Sequence, residues 1–339
     1  MTTVAFFNNR GRVGTTSLVY HLAWMLRELG RRVIAADLDP QANLTGMFLD
    51  ETGLERLWRD GNRGTIDEGV APLFEGAGDI VESPQVEEIG ERIGLLMGDL
   101  ALSRREDELS TQWPKCLDGD RRAFRVTTAF ARLVARAGRR FDADLALLDV
   151  GPNLGAINRA ALVASDCVVI PLAPDLFSLQ GLRNVGPTLR DWRRAWKERA
   201  GRKPQGLDIE LPTGDMKPLG YVIMRHSIRL SRPVQTYGRW IDRMPSEYAE
   251  AVTQDGLPSA PAEQDPNCLA HLKDYRSLMP MAQEANRPMF LLRPAHGAIG
   301  AHQQAVLECY TDFRNLAGEL LGRLDSGRAL PPGARPPSL

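Results

Sequence analysis

The chain is 339 residues long, with 43% hydrophobic, 25% charged and 6% aromatic residues. That balance supports a large buried core and excludes disordered, collagen-like and fibrous classes. Lys plus Arg number 42 against 43 Asp plus Glu, so a nucleic-acid surface, if present, has to be local rather than global.

In chain order, residues 4–7 read as a buried strand, 8–14 as a glycine-containing loop, and Leu18, Leu22, Met25, Leu26 and Leu29 as one face of a helix that stops at Gly30. Residues 33–37 form a second apolar run that ends in acids. This alternation predicts a parallel sheet with crossover helices. Between 50 and 140 the pattern is less regular, with a strand predicted at 93–97 and a helix over 121–136. Residues 145–150 are another buried-strand run closing on Asp149, followed by a strand at 167–172 and a long helix over 179–197. Further strands are predicted at 219–224 and 289–292, the last helix at 301–321, and a disordered Pro-rich tail at 326–339. Acid-ended strands at both 37 and 149 predict one α/β domain over 1–325, a mostly parallel sheet with helices on both faces and insertions near 50–90 and 240–275.

Cys116, Cys167, Cys268 and Cys309 have no paired spacing, which argues against a disulfide scaffold, a zinc ribbon or an iron–sulfur site. The first residues lack the basic flank and apolar core of a signal peptide, and no apolar run reaches membrane-spanning length. The expected compartment is the cytoplasm, with no membrane partner.

Asn9-Arg10-Gly11-Arg12-Val13-Gly14-Thr15-Thr16 lies between a strand and a helix, where a phosphate-binding loop belongs. Such a loop turns successive backbone N–H groups inward, and the helix N-terminus adds its positive dipole end. Gly14 permits close backbone approach and Thr16 is placed to bring a hydroxyl to Mg²⁺. On this loop alone, a plain glycine-containing turn is as good a reading, because Thr15 stands where a lysine is usual.

Two further segments change the balance: Asp37-Leu38-Asp39-Pro40-Gln41-Ala42-Asn43-Leu44-Thr45, and Leu147-Leu148-Asp149-Val150-Gly151-Pro152-Asn153-Leu154-Gly155. With the loop, and with the later Ile170-Pro171-Leu172-Ala173-Pro174 and Leu179-Gln180-Gly181-Leu182, they resemble the ParA family of P-loop ATPases, the deviant Walker A group that partitions plasmids and chromosomes. The resemblance implies ATP and Mg²⁺ as ligands, with Asn9, Arg10, Gly11, Arg12, Val13, Gly14, Thr15, Thr16 and Ser17 binding nucleotide. It implies Thr16, Asp37 and Asp149 at the metal, Asp39 acting on the attacking water, and Arg10 in the signature-lysine position that reaches a partner subunit's phosphates. It also implies a nucleotide-dependent sandwich homodimer, non-specific DNA, a ParB-like partner protein and a nucleoid-associated location.

The departures from the family are in the loop. Arg10 keeps a charge in a different geometry, Arg12 replaces a glycine and Thr15 replaces the Walker lysine. Loss of one charged hydrogen bond to the phosphates, about 1.5–3 kcal/mol, predicts weak hydrolysis; the alternative is a non-hydrolysing pseudo-ATPase acting as a binding or regulatory module. A membrane-cycling relative is disfavoured by the proline-rich end, and iron–sulfur relatives by the missing cysteine ligands.

Residues 183–203 carry eight basic side chains against two acidic ones. Arg190, Arg194 and Lys197 share one helical face, and with Arg199 they are the candidate DNA contacts. Arg225, Arg229, Arg232, Arg239 and Arg243 form a second basic group. Trp192 and Trp196 lie four apart on another face, as core contacts if the basic face is merely solvated, and His21 reads as structural. For the basic group a solvated helix face is the competing reading.

Overall fold

The computed structural model describes residues 1–59, 61, 63–224, 234–255, 261–275 and 277–326. Eight strands form one sheet: β1 (Thr2–Phe6), β2 (Val33–Asp37), β3 (Glu87–Glu88), β4 (Ile93–Leu96), β5 (Leu145–Asp149), β6 (Cys167–Leu172), β7 (Lys217–Met224) and β8 (Cys268–Leu272), in the spatial order β3-β4-β2-β5-β1-β6-β7-β8. Every pairing is parallel except that of β3 with β4.

The strands read as unbroken apolar runs because both faces are covered. Ala5, Ile34, Ala36, Ala146, Leu148, Val168 and Ile170 point to one core, and Val4, Phe6, Val33, Ala35, Leu145, Leu147 and Val169 to the other. The second core is closed by α1 (Thr15–Glu28) and by α6 (Ala301–Ser326), the first by α2 (Glu106–Lys115), α3 (Ala129–Phe141), α4 (Ala156–Val163) and α5 (Leu176–Ala200). The expected α/β architecture, a mostly parallel sheet with helices on both faces, is the one observed.

Several elements differ from the sequence reading. The strand predicted at 289–292 is a 3₁₀ turn, Met289–Leu291, whose Met289 and Phe290 are buried in the α1–α6 core. The eighth strand is β8 instead, inside a segment expected to be an insertion; it alternates poorly in burial and forms the sheet edge. The helix predicted over 121–136 is two helices, Arg121–Thr127 and Ala129–Phe141. The first insertion contributes Ile66, Val70 and Leu73 to the core. Arg225, Arg229, Arg232 and residues 327–339 lie outside the described residues.

Parallel strands deliver their following loops to one edge of the sheet, where α/β ligand sites form. Here β1, β2, β5 and β6 are neighbours, so residues 8–14, 38–42, 150–155 and 173–175 meet there.

Candidate nucleotide site

Residues 8–14 leave β1 and enter α1 at Gly14, whose φ of 89° is left-handed and whose position makes no side-chain cap. Glycine adopts that angle without penalty. Arg12 also has a left-handed φ, 64°, which costs a non-glycine residue about 1 kcal/mol; its side chain is exposed. Among the described residues, the backbone N–H groups from Gly11 to Thr16 have no hydrogen-bond acceptor. The loop is therefore a row of free donors at a helix N-terminus, a site for an anion.

Facing it are the acids. Asp37 and Asp149 are directly opposite in the β2–β5 register and are almost wholly buried. One oxygen of Asp37, Oδ2, accepts the Thr45 N–H (2.7 Å) and Thr45 hydroxyl (2.8 Å). The other, Oδ1, has no partner among the described residues, and neither does Asp149 Oδ2. Burial pushes the Asp37 carboxyl up to about 7, against the two Thr45 hydrogen bonds and with help from the Asp39 charge. Asp149 is raised well above the usual carboxylate range, by burial first and then by Asp37, while the Thr16 hydroxyl works the other way. Two buried carboxylates with orphaned oxygens call for a cation. No group of three or more His, Cys, Asp or Glu able to hold a metal exists among the described residues. One hydroxyl and two buried carboxyls with free oxygens are a donor set that would suit a hard cation such as Mg²⁺, with Thr16, Asp37 and Asp149 as the residues that would hold it.

Asp39 lies in the turn after β2, where Ala42 N–H donates to its carbonyl (2.9 Å) and Gln41 N–H to its Oδ1 (3.0 Å). The segment after β5 is braced by Asn158, whose amide donates to the Gly151 and Asn153 carbonyls (2.6 and 2.7 Å).

Three functional residues escape a sequence reading. Thr45 joins Asp37 to the β4 end by also accepting the Gly98 N–H (2.7 Å). Glu106, on α2, caps α4 by accepting the Ala156 and Ile157 N–H groups (2.5 and 2.9 Å), although fifty residues separate them. Asn158 is the third. Thr45 and Asn158 show only as polar residues beside apolar ones, and Glu106 is one charge within the run Arg104-Arg105-Glu106-Asp107-Glu108.

Arg10 is turned away from the loop. Its guanidinium pairs with Asp175, donates to Ser178 Oγ (3.2 Å) and lies 5.3 Å from the Phe177 ring centre. Asp175 is at the same time the N-cap of α5 through the Ser178 N–H (2.9 Å). With Thr15 neutral and Arg10 engaged, Arg12 is the loop's free cation among the described residues.

The DNA candidates separate. Arg199 is buried, donates to the Trp113 and Ala195 carbonyls (both 2.9 Å) and stacks 4.3 Å from the Trp113 ring centre; it is a core arginine and does not reach a surface ligand. Arg190 donates to the Ala251 carbonyl. Among the described residues Arg194 pairs only with exposed Asp191, and Lys197 is exposed, so those two remain available. Trp196 is fully buried and stacks on Trp113 at 6.1 Å. His21 bridges α1 to the 3₁₀ turn, its Nδ1 facing the Ser17 carbonyl (2.7 Å) and its Nε2 accepting the Met289 N–H (3.2 Å). A cavity of about 760 Å³, lined by Met1, Thr3, Asp166 and other residues, lies at the opposite end of the strands and takes no part in the site.

The AAA domain family model matches residues 1–199, the stretch holding the loop, both acid-ended strands and the segment after β5. The chain belongs to the ParA family of P-loop ATPases. It is similar to IncC of Escherichia coli, 32% identical over 219 residues covering 62% of this chain and 52% of that protein. Similarity to the sporulation initiation inhibitor protein Soj of Bacillus subtilis is 26% over 187 residues, 55% of this chain and 64% of that one. The match thus spans about half to two thirds of these relatives. Among solved structures, protein DIP2308 of Corynebacterium diphtheriae has a TM-score of 0.73 at 24% identity, covering 96% of this chain and all of that one. An ATP complex of a McdA variant from Cyanothece has a TM-score of 0.59 at 16% identity, covering 94% and 96%. At such identities the ParA-type fold is what is shared. No helix among the described residues is long and apolar enough to cross a membrane.

Proposed function

We propose that this chain is a nucleotide-dependent switch of the plasmid- or chromosome-partitioning type, which binds ATP with Mg²⁺ and hydrolyses it slowly. The observation that carries the reading is the placement of a donor-only loop against two buried, in-register carboxylates with unpartnered oxygens. An anion bound to a cation fits that pairing of unmet donors and acceptors.

In this reading the N–H groups of residues 11–16 and the α1 dipole cradle the phosphates. Thr16, Asp37 and Asp149 hold the metal, which when bound neutralises phosphate charge and orients the γ-phosphate. Asp39 orients the attacking water. Thr45 fixes Asp37, and Glu106 and Asn158 fix the segment after β5. Nothing replaces the lysine charge directly, so turnover is slow; a deficit of about 3 kcal/mol corresponds to roughly a hundredfold.

The wider role follows the family: a nucleotide-dependent homodimer, sequence-independent DNA binding through Arg194 and Lys197, a ParB-like stimulating partner, and a cytoplasmic, nucleoid-associated location. The second reading, a pseudo-ATPase that binds without hydrolysis, is favoured by Thr15 and by Arg10 being held on Asp175. Nucleotide titration with and without Mg²⁺, followed by phosphate release with an Asp39→Ala control, tests both. Saturable binding with Asp39-dependent release supports the switch, binding alone supports the pseudo-ATPase, and no binding refutes both.

A further inference from the structure

A pocket of about 490 Å³ lies between α1, the helix Asn43–Phe48 and the helix Leu278–Glu284, a volume suited to a small organic molecule. Its apolar wall is made by Met47, Leu49, Leu54, Met279 and Ala282, of which Met47, Leu54 and Met279 are only half-buried. The two methionines make that wall adaptable in shape. Asp50, Glu51, Glu284 and Arg287 stand at the rim, and all four are exposed to water, which screens their charges. From α1 come His21 and Tyr20. Both ring nitrogens of His21 are taken, by Ser17 and Met289, so it offers the pocket only its ring. Tyr20 is 3% exposed, and burial raises its pKa above the ordinary phenol value, with Trp24 and Arg287 opposing. Its hydroxyl therefore keeps its proton. The neighbouring Trp24 indole can only donate, and among the described residues no acceptor takes the Tyr20 hydrogen. Nor is this hydroxyl sealed, as the unpartnered one of Tyr248 is. The pocket thus combines an apolar wall with one unmet donor.

We propose that this pocket is an effector site for a neutral, mainly apolar molecule with one carbonyl or ether oxygen, which accepts the Tyr20 hydroxyl hydrogen while the body of the molecule lies on Met47, Leu54 and Met279. Charged ligands fit less well. An anion meets three acids at the rim, and a cation brings its charge against an apolar wall. Two of the walls also carry residues of the nucleotide site. α1 holds Thr16 in its first turn, and the helix Asn43–Phe48 holds Thr45, whose hydroxyl donates to Asp37 (2.8 Å). A ligand that bridges both helices fixes their spacing, so its binding is linked to that of nucleotide with metal. That linkage, unlike the ligand site itself, rests on the ATPase reading above.

The probe is a propionyl-dimethylaminonaphthalene, an uncharged fluorophore with one ketone, held at low concentration while the full chain is titrated. Its emission should shift to the blue and saturate, with a dissociation constant below about 0.2 mM. Gly46→Trp plugs the mouth. A Cβ on Gly46 meets nothing within 4 Å and the residue is not left-handed, so the variant should keep the natural unfolding midpoint and lose the shift; Leu54→Trp serves if it does not fold. Tyr20→Phe should weaken probe binding about five- to tenfold. Dimethylaminonaphthalene, the same body without the ketone, should compete with equal affinity in both proteins. No saturable shift, full binding by the plugged variant, or equal probe affinity in Tyr20→Phe overturns the site. Saturating ATP with Mg²⁺ should alter probe affinity at least about fivefold. An unaltered value, with nucleotide binding shown by calorimetry, overturns the effector role alone. If calorimetry shows no nucleotide binding, the ATPase reading fails and the effector role with it, while the fluorescence titration still decides the pocket.

Discussion

His21 offers the sharpest test of how the site is anchored, because a buried imidazole must stay neutral to keep its place. It has no exposed surface, stacks on Phe313 with ring centres 5.1 Å apart, and links the first turn of α1 to the Met289 N–H. Burial lowers its pKa from 6.5 to about 4, with the Ser17 carbonyl opposing. For a base whose folded value is depressed, the unfolded chain binds the extra proton. Stability is therefore fully present above pH 6.5, declines as pH falls, and levels off below about 4. The span corresponds to about 3 kcal/mol in all, of which about 2 kcal/mol is lost by about pH 5. Asp37 acts with the opposite sign: its value is raised, so the folded state gains as pH falls from about 7 towards 3.8. A non-titrating variant isolates the His21 contribution. At about pH 7.5, His21→Phe should be less stable by about 1–3 kcal/mol, since the Met289 N–H loses its acceptor. Urea unfolding at about pH 7.5, 6 and 5 should show that gap closing by about 2 kcal/mol. Parallel pH profiles for the two proteins would refute the assignment of a buried, neutral imidazole.

Other perturbations address the chemistry. Thr15→Lys should raise phosphate release by roughly a hundredfold, measured as Mg²⁺-dependent turnover; an unchanged rate would mean another group already supplies the charge. Thr45→Val removes a hydroxyl that donates to Asp37 and accepts from Gly98, and should destabilise by about 2–4 kcal/mol in chemical unfolding, since two buried groups lose partners. Arg194→Glu with Lys197→Glu should weaken binding to random-sequence duplex DNA and flatten its salt dependence. Arg199→Ala should instead lower the unfolding midpoint, because it removes a buried stack on Trp113.

The parts of the fold that are legible in sequence are those whose causes are local. β1, β2, β5 and β6 announce themselves because a strand covered on both faces must be apolar at every position, and their order along the chain fixes the crossover helices. β8 escapes notice because an edge strand tolerates polar residues, and Cys268-Leu269-Ala270-His271-Leu272 is only partly buried. Residues 289–292 look like a strand for the converse reason: they are apolar because they plug the α1–α6 core, and hydrophobicity alone does not specify backbone geometry. In the site, Asp37, Asp39 and Asp149 are readable from motif position. Their partners are not. Sequence lists the charges of residues 183–203, but it does not show that Arg190, Arg193 and Arg199 spend theirs on backbone carbonyls. Nor does it show Arg10 turned onto Asp175, or Glu106 capping α4 from another helix.

The charge inventory of the site has a consequence for the ligand itself. A triphosphate brings several negative charges to a pocket edged by Asp37, Asp39 and Asp149. In a loop with a lysine, a fixed ammonium offsets part of that repulsion whether or not metal is present. Here Thr15 is neutral and the Arg10 guanidinium is already neutralised by Asp175, leaving peptide N–H groups, a helix dipole and the exposed Arg12. A dipole end contributes roughly half a charge, too little by itself to offset the repulsion between a triphosphate and the neighbouring acidic side chains. In the proposed reading Mg²⁺, held by Thr16, Asp37 and Asp149, would supply the missing positive charge. Nucleotide affinity should therefore depend on Mg²⁺ more steeply in this chain than in its Thr15→Lys variant. Calorimetric titration of both proteins with ATP, in EDTA and in excess Mg²⁺, measures the difference directly. Restoring the lysine should recover at least about tenfold of the metal-free affinity, the equivalent of one charge-assisted hydrogen bond. Equal metal dependence in the two proteins would show that Arg12 already folds over the phosphates, and the lysine's absence would then carry no electrostatic cost.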